Sequence, residues 1–460
     1  MSRREAVMVI DELPSLESLL PVATRRLAEP VPRERTFFRY LSARAWAAAL
    51  LLYGILAVLE PYDLLSPISG YGLQEHKGEI AVALDTIEGG SPLRRLGVVA
   101  LFLFGAMAVL VSRGDRRRYR RAIAIPAVAL FVLAVASPLW SQDPAITLRK
   151  AFVLSALVIT AYGLSRCWDL ETIVRVALLF SGLTILLGMG TEVVLGTMQP
   201  LHADFRFRGS IHPNSMALYC TLFVISSVLL ARRFTGYRSA LMVLLAMIGL
   251  VMLLLTKSRG AILGLLAALT VIFVWSVRRR TTLLAASGLV AAVCAAIILF
   301  PDMGTRAESW ATLGRSTTFD LSDMTGRTEL FQSLLPYWAD RPILGYGYDS
   351  FWEPVHILEV ARSQGWIVGS SHNQVIGMLL DLGALGCFLL VVLLAASLWL
   401  AIADARHDYA AVTLFPVAVL VWSYVNMITF GFWFETTIPS FVALTVVGHL
   451  AIRPRAAARA

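Results

Sequence analysis

Phe205-Arg206-Phe207-Arg208-Gly209-Ser210-Ile211-His212-Pro213-Asn214 puts two arginines and a histidine into ten residues between two long apolar runs. Cations beside hydrocarbon are expensive and usually have a partner, and the planar guanidinium fork matches the oxygens of a phosphate or carboxylate. The chemistry open to this stretch is anion binding. Other cations stand at similar places: Lys257 and Arg259 in Thr256-Lys257-Ser258-Arg259-Gly260-Ala261, and Arg149 and Lys150 after Trp140-Ser141-Gln142-Asp143-Pro144. His372, in Ser370-Ser371-His372-Asn373, has a reference pKa of about 6.5 and suits a general base near neutrality.

The elements that must position these groups are membrane helices. In 460 residues the apolar fraction is 57%, only 15% are charged and mean hydropathy is +0.71, so spans of about 20 residues are the units to count. Twelve are expected, at roughly 43–60, 96–112, 122–139, 151–165, 172–194, 214–231, 239–256, 260–277, 282–300, 374–402, 410–430 and 436–452. The fourth is short and the tenth long, which points to tilt or a break there. The fold class is all-α, a polytopic bundle, because only satisfied backbones cross lipid.

Arginine placement orients the bundle. Residues 1–42, Arg113–Arg121, Arg232–Arg238, Arg278–Arg280 and the tail after Ile452 carry most of the positive charge, so both termini are expected on the cytoplasmic side. The net charge of +9 is thus a topology signal and an attraction to anionic lipid; no aromatic-basic motif accompanies it, and nucleic acid is not expected as a partner. The first apolar run begins only near residue 43, so no cleavable leader is expected. The four cysteines, Cys167, Cys220, Cys294 and Cys387, fall in spans or on the inner side and lack C-x-x-C spacing. The organisation expected is a cytoplasmic arm (1–42), spans 1–9 (43–300), a large outer loop (301–373), spans 10–12 (374–452) and a cytoplasmic tail (453–460).

That outer loop is long enough to be a small subdomain. Leu330, Phe331, Leu334, Leu335 and Trp338 form a helical stripe after Thr325-Gly326-Arg327, and Trp352, Val355, His356, Glu359 and Val360 suggest a second helix. Between them Pro342-Ile343-Leu344-Gly345-Tyr346-Gly347-Tyr348 reads as a glycine- and aromatic-rich turn. The loop closes on His372, on the same side as Arg206, Arg208 and Arg259. Convergence of these groups on one cavity is the working hypothesis.

The order R-x-R-G-x-x-x-P-N, S-R-G-A, G-R-x-x-x-F, L-G-Y-G-Y-x-x-F and S-H-N-Q-x-x-x-x-x-x-D-x-G-x-x-G, over roughly residues 140–390, resembles the O-antigen ligase and Wzy-type polymerase superfamily, which includes exopolysaccharide polymerases. The resemblance implies a glycosyltransferase of the bacterial inner membrane that takes a glycan from a polyprenyl diphosphate carrier at the outer face. By that analogy Arg206, Arg208 and Arg259 hold the diphosphate and His372 is the base or orients the acceptor. Arg327 binds phosphate or sugar, and His212, Asn214, Lys257 and Asn373 are weaker substrate or acceptor contacts. The partners implied are the polyprenyl-diphosphate-linked oligosaccharide and membrane lipid; a chain-length regulator of polysaccharide export is a further partner such a polymerase could take. No Asp-x-Asp spacing, glycine-rich nucleotide loop, H-E-x-x-H or G-x-S-x-G occurs, so metal independence and no cofactor are expected.

Blander readings stand beside these. Span-end arginines and Lys257 also anchor to lipid headgroups, His372 could simply bond a loop carbonyl, Arg327 could be a surface residue of its helix, and His212 and Asn214 could shape the turn into the next span. Polymerase and ligase share the clamp and base and differ in the acceptor; the outer loops show nothing dedicated to a bulky lipid core, which favours the polymerase. A twelve-span transporter of an anionic solute is the alternative from another class, although no repeat of one half in the other is evident. A lipid flippase would place cations along the interior, where only Arg175 lies.

Overall fold

The computed structural model describes residues 43–59, 92–112, 118–200, 202, 205–276, 327–364, 368–407, 411–429 and 433–452. The expected ninth span (282–300), the arm, the tail and the first part of the outer loop (301–326) lie outside the described residues. Thirteen α-helices are described: α1 (Ala43–Leu59), α2 (Pro92–Val111), α3 (Arg121–Ala136), α4 (Pro144–Cys167), α5 (Leu170–Val194), α6 (Pro213–Arg233), α7 (Gly236–Leu255), α8 (Arg259–Ser276), α9 (Arg327–Asp340), α10 (Pro354–Gln364), α11 (Gln374–His407), α12 (Phe415–Thr429) and α13 (Ile438–Ala451). The only extended pairing among the described residues is one bridge, Tyr119 to Ile452. The protein is an all-α polytopic membrane protein: among the described residues eight stretches are long and apolar enough to cross a bilayer, and the helices at 47–59, 259–275 and 438–451 are shorter apolar ones.

Local sequence sets where the helices begin. Asp143 caps α4, its carboxylate accepting from Ala145 N and Ile146 N, with Pro144 at the first helical position; Asp169 caps α5 by accepting from Thr172 N. The first of these caps corrects one expectation. The fourth span is not short but a helix of 24 residues, because Asp143-Pro144 starts it ahead of Arg149 and Lys150. Both cations therefore lie on the helix and not in a loop before it. Their charge lowers local hydropathy without affecting backbone pairing, so a hydropathy boundary falls several residues late.

Short connections make successive membrane helices antiparallel, so their ends sort into two sets. At one end, called here the loop end, lie the turns α3–α4, α5–α6, α7–α8 and α12–α13 and the segment carrying α9 and α10. Arg94 Nη2 and Thr436 Oγ1 both donate to Leu59 O there, at 3.1 and 3.4 Å. α6 sits centrally, with 78% of its apolar window buried, whereas α2 and α7, at 22%, present most of theirs outward to lipid. The described residues from Ala49 onward form one compact unit.

The opposite end is tied by polar contacts. Arg120 forks onto Asp404 at 2.7 and 2.6 Å, its backbone N donates to Ala451 O at 2.8 Å, and Arg166 Nη2 donates to Ser112 O at 2.7 Å. Arg120 is nearly buried and Asp404 is 41% exposed, so water screens the pair from one side. Asp404→Asn is expected to cost about 1 kcal/mol, the range for charge-assisted bonds at a half-wet site. Thermal unfolding in detergent, with an Arg120→Ala/Asp404→Asn cycle, measures the coupling.

The tenth span holds the main irregularity. α11 is broken at Gly383, where φ is 66° and ψ −165°. Interrupted backbone at membrane depth has to be satisfied by protein. Here the Pro342–Tyr348 turn does so: Tyr346 N and Gly347 N donate to Leu380 O and Asp381 O at 2.8 and 2.9 Å, while Ala384 N and Leu385 N donate to Pro342 O and Ile343 O at 2.8 and 3.2 Å. The outer segment is thus sewn into the span. Its two helices share a small core of Leu330, Leu334, Tyr346, Phe351, Val360 and Val368, to which α11 adds Leu380.

Candidate functional site

The arginine loop, 205–212, lies between α5 and α6 at the loop end. Phe207 is fully buried and its backbone N donates to Leu255 O at 2.8 Å; Arg206 Nε donates to Thr256 O at 3.2 Å and its Nη2 to Asn214 Oδ1 at 3.3 Å. These bonds join the loop to the turn between α7 and α8. In that turn Thr256 Oγ1 donates to Leu253 O at 2.6 Å, and Lys257 takes a left-handed φ of 53°. Arg259 is the first residue of α8. The structure therefore joins the segment that carries Arg206, Arg208 and Asn214 to the turn that carries Lys257 and Arg259.

His212 and Asn214 also have local work. His212 is the N-cap of α6, its Nδ1 accepting from Asn214 N at 3.2 Å. Asn373 begins α11 in the same manner, Oδ1 accepting from Val375 N and Ile376 N at 2.9 and 3.3 Å. His372 precedes it with φ of 49°, and Ser370 Oγ lies 3.4 Å from its Nδ1. His372 thus sits on a tight turn at the loop end of the broken span, half-buried. Arg327 opens α9, and its side chain lies outside what the structure describes.

Sequence reasoning missed a second group of charges. Lys150 Nζ and Asp349 Oδ2 pair at 2.6 Å, and the Asp349 backbone N–H donates to the Asp381 carboxyl, one oxygen of which is buried without a hydrogen-bond partner. Glu435, from the α12–α13 turn, is close enough to feel both Asp349 and Lys150. Hydroxyls back the group: Ser141 Oγ reaches Thr147 Oγ1 and Ser350 Oγ at 2.6 and 2.9 Å, and Tyr348 N donates to Ser137 Oγ at 2.9 Å. Four distant segments supply it, so no local spacing marks it. The signals available were single residues: Lys150 at a span end, Asp381 as the acid of the S-H-N-Q-x-x-x-x-x-x-D motif, and Glu435 in Trp433-Phe434-Glu435.

Glu435 supplies a pH test. Its side chain is open to solvent close by but enclosed by protein on a wider scale; that desolvation, reinforced by the Asp349 charge and opposed by Lys150, raises its carboxyl from an ordinary 4.5 to about 7. Between those values the folded protein holds a proton that the unfolded chain has released. Stability is therefore expected to be full below about pH 4.5 and to fall as pH rises toward 7. Melting curves of wild type and Glu435→Gln across this range should diverge, with the variant showing the flatter profile.

Directly below this group runs a cavity of about 500 Å³, lined among others by Phe131, Leu154, Leu393, Val447, Tyr348 and Phe434. It reaches from Tyr348 and Phe434 at the loop end to Tyr119 and Ala451 at the opposite end. Its wall is almost wholly apolar, which suits hydrocarbon. Among the described residues no group of three or more His, Cys, Asp or Glu side chains is arranged to hold a metal ion.

Fold and site together define a multi-pass membrane protein with several cationic residues on joined loops at one end and a loop segment stitched into a broken span. Residues 242–391 match the O-antigen ligase family model, Wzy_C, so this part of the chain is similar to that family, a likeness that supports an O-antigen ligase or Wzy-type assignment. The match contains Lys257, Arg259, Arg327, His372, Asn373 and the break at Gly383. Arg206 and Arg208 lie before it and are tied to it through Thr256 and Leu255. A search of the curated proteins returns no match to the chain.

Proposed function

We propose that the protein polymerises oligosaccharide repeats carried on a polyprenyl diphosphate at the outer face of the bacterial inner membrane, with both termini in the cytoplasm. The observation that carries this reading is the joining of the arginine loop to the Lys257–Arg259 turn, four cations at one membrane end. Arg206, Arg208 and Arg259, with Lys257, hold the diphosphate; guanidinium forks bind its oxygens and stabilise the charge that grows as it leaves. His372 takes the proton of the acceptor hydroxyl. The bond from the anomeric carbon to the phosphate oxygen breaks, the bond to the acceptor oxygen forms, and the carrier departs as polyprenyl diphosphate. Arg327 and Asn373 contact sugar or acceptor, and His212 and Asn214 shape the clamp. No step in this scheme calls on a metal or a cofactor. The apolar cavity supports a lipid-borne substrate.

The test is the size of lipid-linked and surface glycans in a strain lacking the gene, complemented with wild type or His372→Ala. Single carrier-linked repeats without polymer are expected in the deletion strain, and His372→Ala should restore polymer at least about a hundredfold less well than wild type. Long carrier-linked chains lacking the finished conjugate would instead assign a ligase. An unchanged profile would overturn both and leave transport of an anionic solute, to be measured in vesicles.

A further inference from the structure

Glu192 lies in the last turn of α5 and is only 2% exposed, a depth at which a carboxyl group needs a reason to be present. Its Oε1 accepts two backbone hydrogen bonds, from Arg208 N and from Gly209 N, both at 2.9 Å. Two successive amides aimed at one oxygen form an anion-binding nest, and Gly209 takes a left-handed φ of 62° that carries the chain onward from it. One turn earlier on the same face is Gly188. A Cβ on Gly209 would stand 2.4 Å from the Gly188 Cα, so two hydrogens where side chains would be let the loop press onto the helix. Glu192 O in turn accepts from Thr197 N at 2.9 Å, which fixes the end of α5. The second carboxyl oxygen, Oε2, is buried with no hydrogen-bond partner.

We infer that Glu192 is a positioning residue whose buried carboxyl grips the Arg208–Gly209 backbone and so fixes where the arginines of the clamp stand. Two of the loop's remaining ties, Arg206 to Thr256 O and Phe207 N to Leu255 O, hold its other edge. Without Glu192 two amides at a buried turn lose their acceptor, and the polar grip of α5 on the loop is removed. Phosphate clamps depend on donors placed within a few tenths of an ångström, so the consequence falls on diphosphate affinity and on turnover. The inference rests on the proposed function.

The experiment compares wild type, Arg206→Ala, Glu192→Gln, Glu192→Ala and Glu192→Asp as full-length protein in detergent. Undecaprenyl diphosphate binding and glycan transfer are expressed per folded molecule, with the folded fraction taken from thermal melts. Gln keeps an oxygen acceptor at the same reach; Asp keeps the carboxyl but falls one methylene short. Glu192→Gln is expected within about threefold of wild type, whereas Glu192→Ala loses about tenfold or more in both readouts, a fall that a purely structural role would not produce in the folded fraction. Should the alanine variant not fold, the aspartate variant carries the same expectation. The inference is overturned when folded alanine and aspartate variants bind and turn over like wild type, or when glutamine is as defective as alanine. Failure of wild type and Arg206→Ala to differ in binding would instead bring down the functional reading, and this inference with it.

Discussion

On the proposed diphosphate clamp, Arg206→Ala is expected to lower glycan transfer by a hundredfold or more while the folded bundle persists. Removing one preorganised donor from a site of developing charge typically costs 10²–10³ in turnover, and a fork facing a diphosphate contributes at least one such donor. The same side chain has a smaller structural role through its bonds to Thr256 O and Asn214 Oδ1, at 3.2 and 3.3 Å. Bonds of that length at a half-buried site are worth about 1 kcal/mol in all, too little to unfold the protein. Arg206→Lys separates the two effects, because lysine restores a point charge but not the fork, and should recover only part of the transfer. Transfer by purified protein from a polyprenyl-diphosphate-linked repeat, normalised to the folded fraction, is the measurement. Near-wild-type transfer by the alanine variant would remove Arg206 from the clamp.

The bundle was legible because hydropathy reports a bulk property: each span buries or faces apolar surface along its whole length, so composition alone locates it. The long tenth span even announced its break, since α11, with 34 residues, exceeds what a bilayer needs. The start of α4 was obscured for the same reason, Arg149 and Lys150 lowering the average over residues that Asp143 and Pro144 had already committed to helix. The arginine loop was legible as a motif, and its junction with the Thr256 turn as nothing more than a hypothesis of convergence. Glu192 was visible as an acid near a span end; its task depends on backbone amides sixteen and seventeen residues later, and amides leave no mark on residue type. The Lys150, Asp349, Asp381 and Glu435 group is the extreme case, assembled by the loop threading back into α11. Asn373 and His212 show the converse. Their side chains make helix caps, so their presence in a motif near chemistry is accounted for by local geometry before any substrate is invoked.

Gly383→Val should be the most damaging substitution to the fold. The backbone there, at φ 66° and ψ −165°, occupies a region open almost solely to glycine, and holding any other residue in it costs about 1–3 kcal/mol. Space forbids the change independently. A Cβ would lie 2.2 Å from Ile343 O, 2.3 Å from Ile343 C and 2.6 Å from Leu344 N, and these are backbone atoms of the very turn that satisfies the broken helix. That turn cannot retreat without surrendering the bonds to Leu380 O, Asp381 O, Ala384 N and Leu385 N, so interrupted backbone would be left unpaired at membrane depth. Strain and lost pairing together should exceed about 3 kcal/mol, a large share of the roughly 5–15 kcal/mol that holds a folded domain together. Gly190→Ala is the matched control: it lies in α5 with open space around its Cβ and should be neutral or stabilising by up to about 1 kcal/mol. Folded yield and thermal melts of the two variants decide the matter, and equal melts would mean that the turn does not hold the break. Because the same retreat would pull Asp349 from Lys150 and shift the segment that ends in His372, any residual folded Gly383→Val should also be impaired in transfer, an outcome that would link the stitch in the membrane helix to the role proposed for His372.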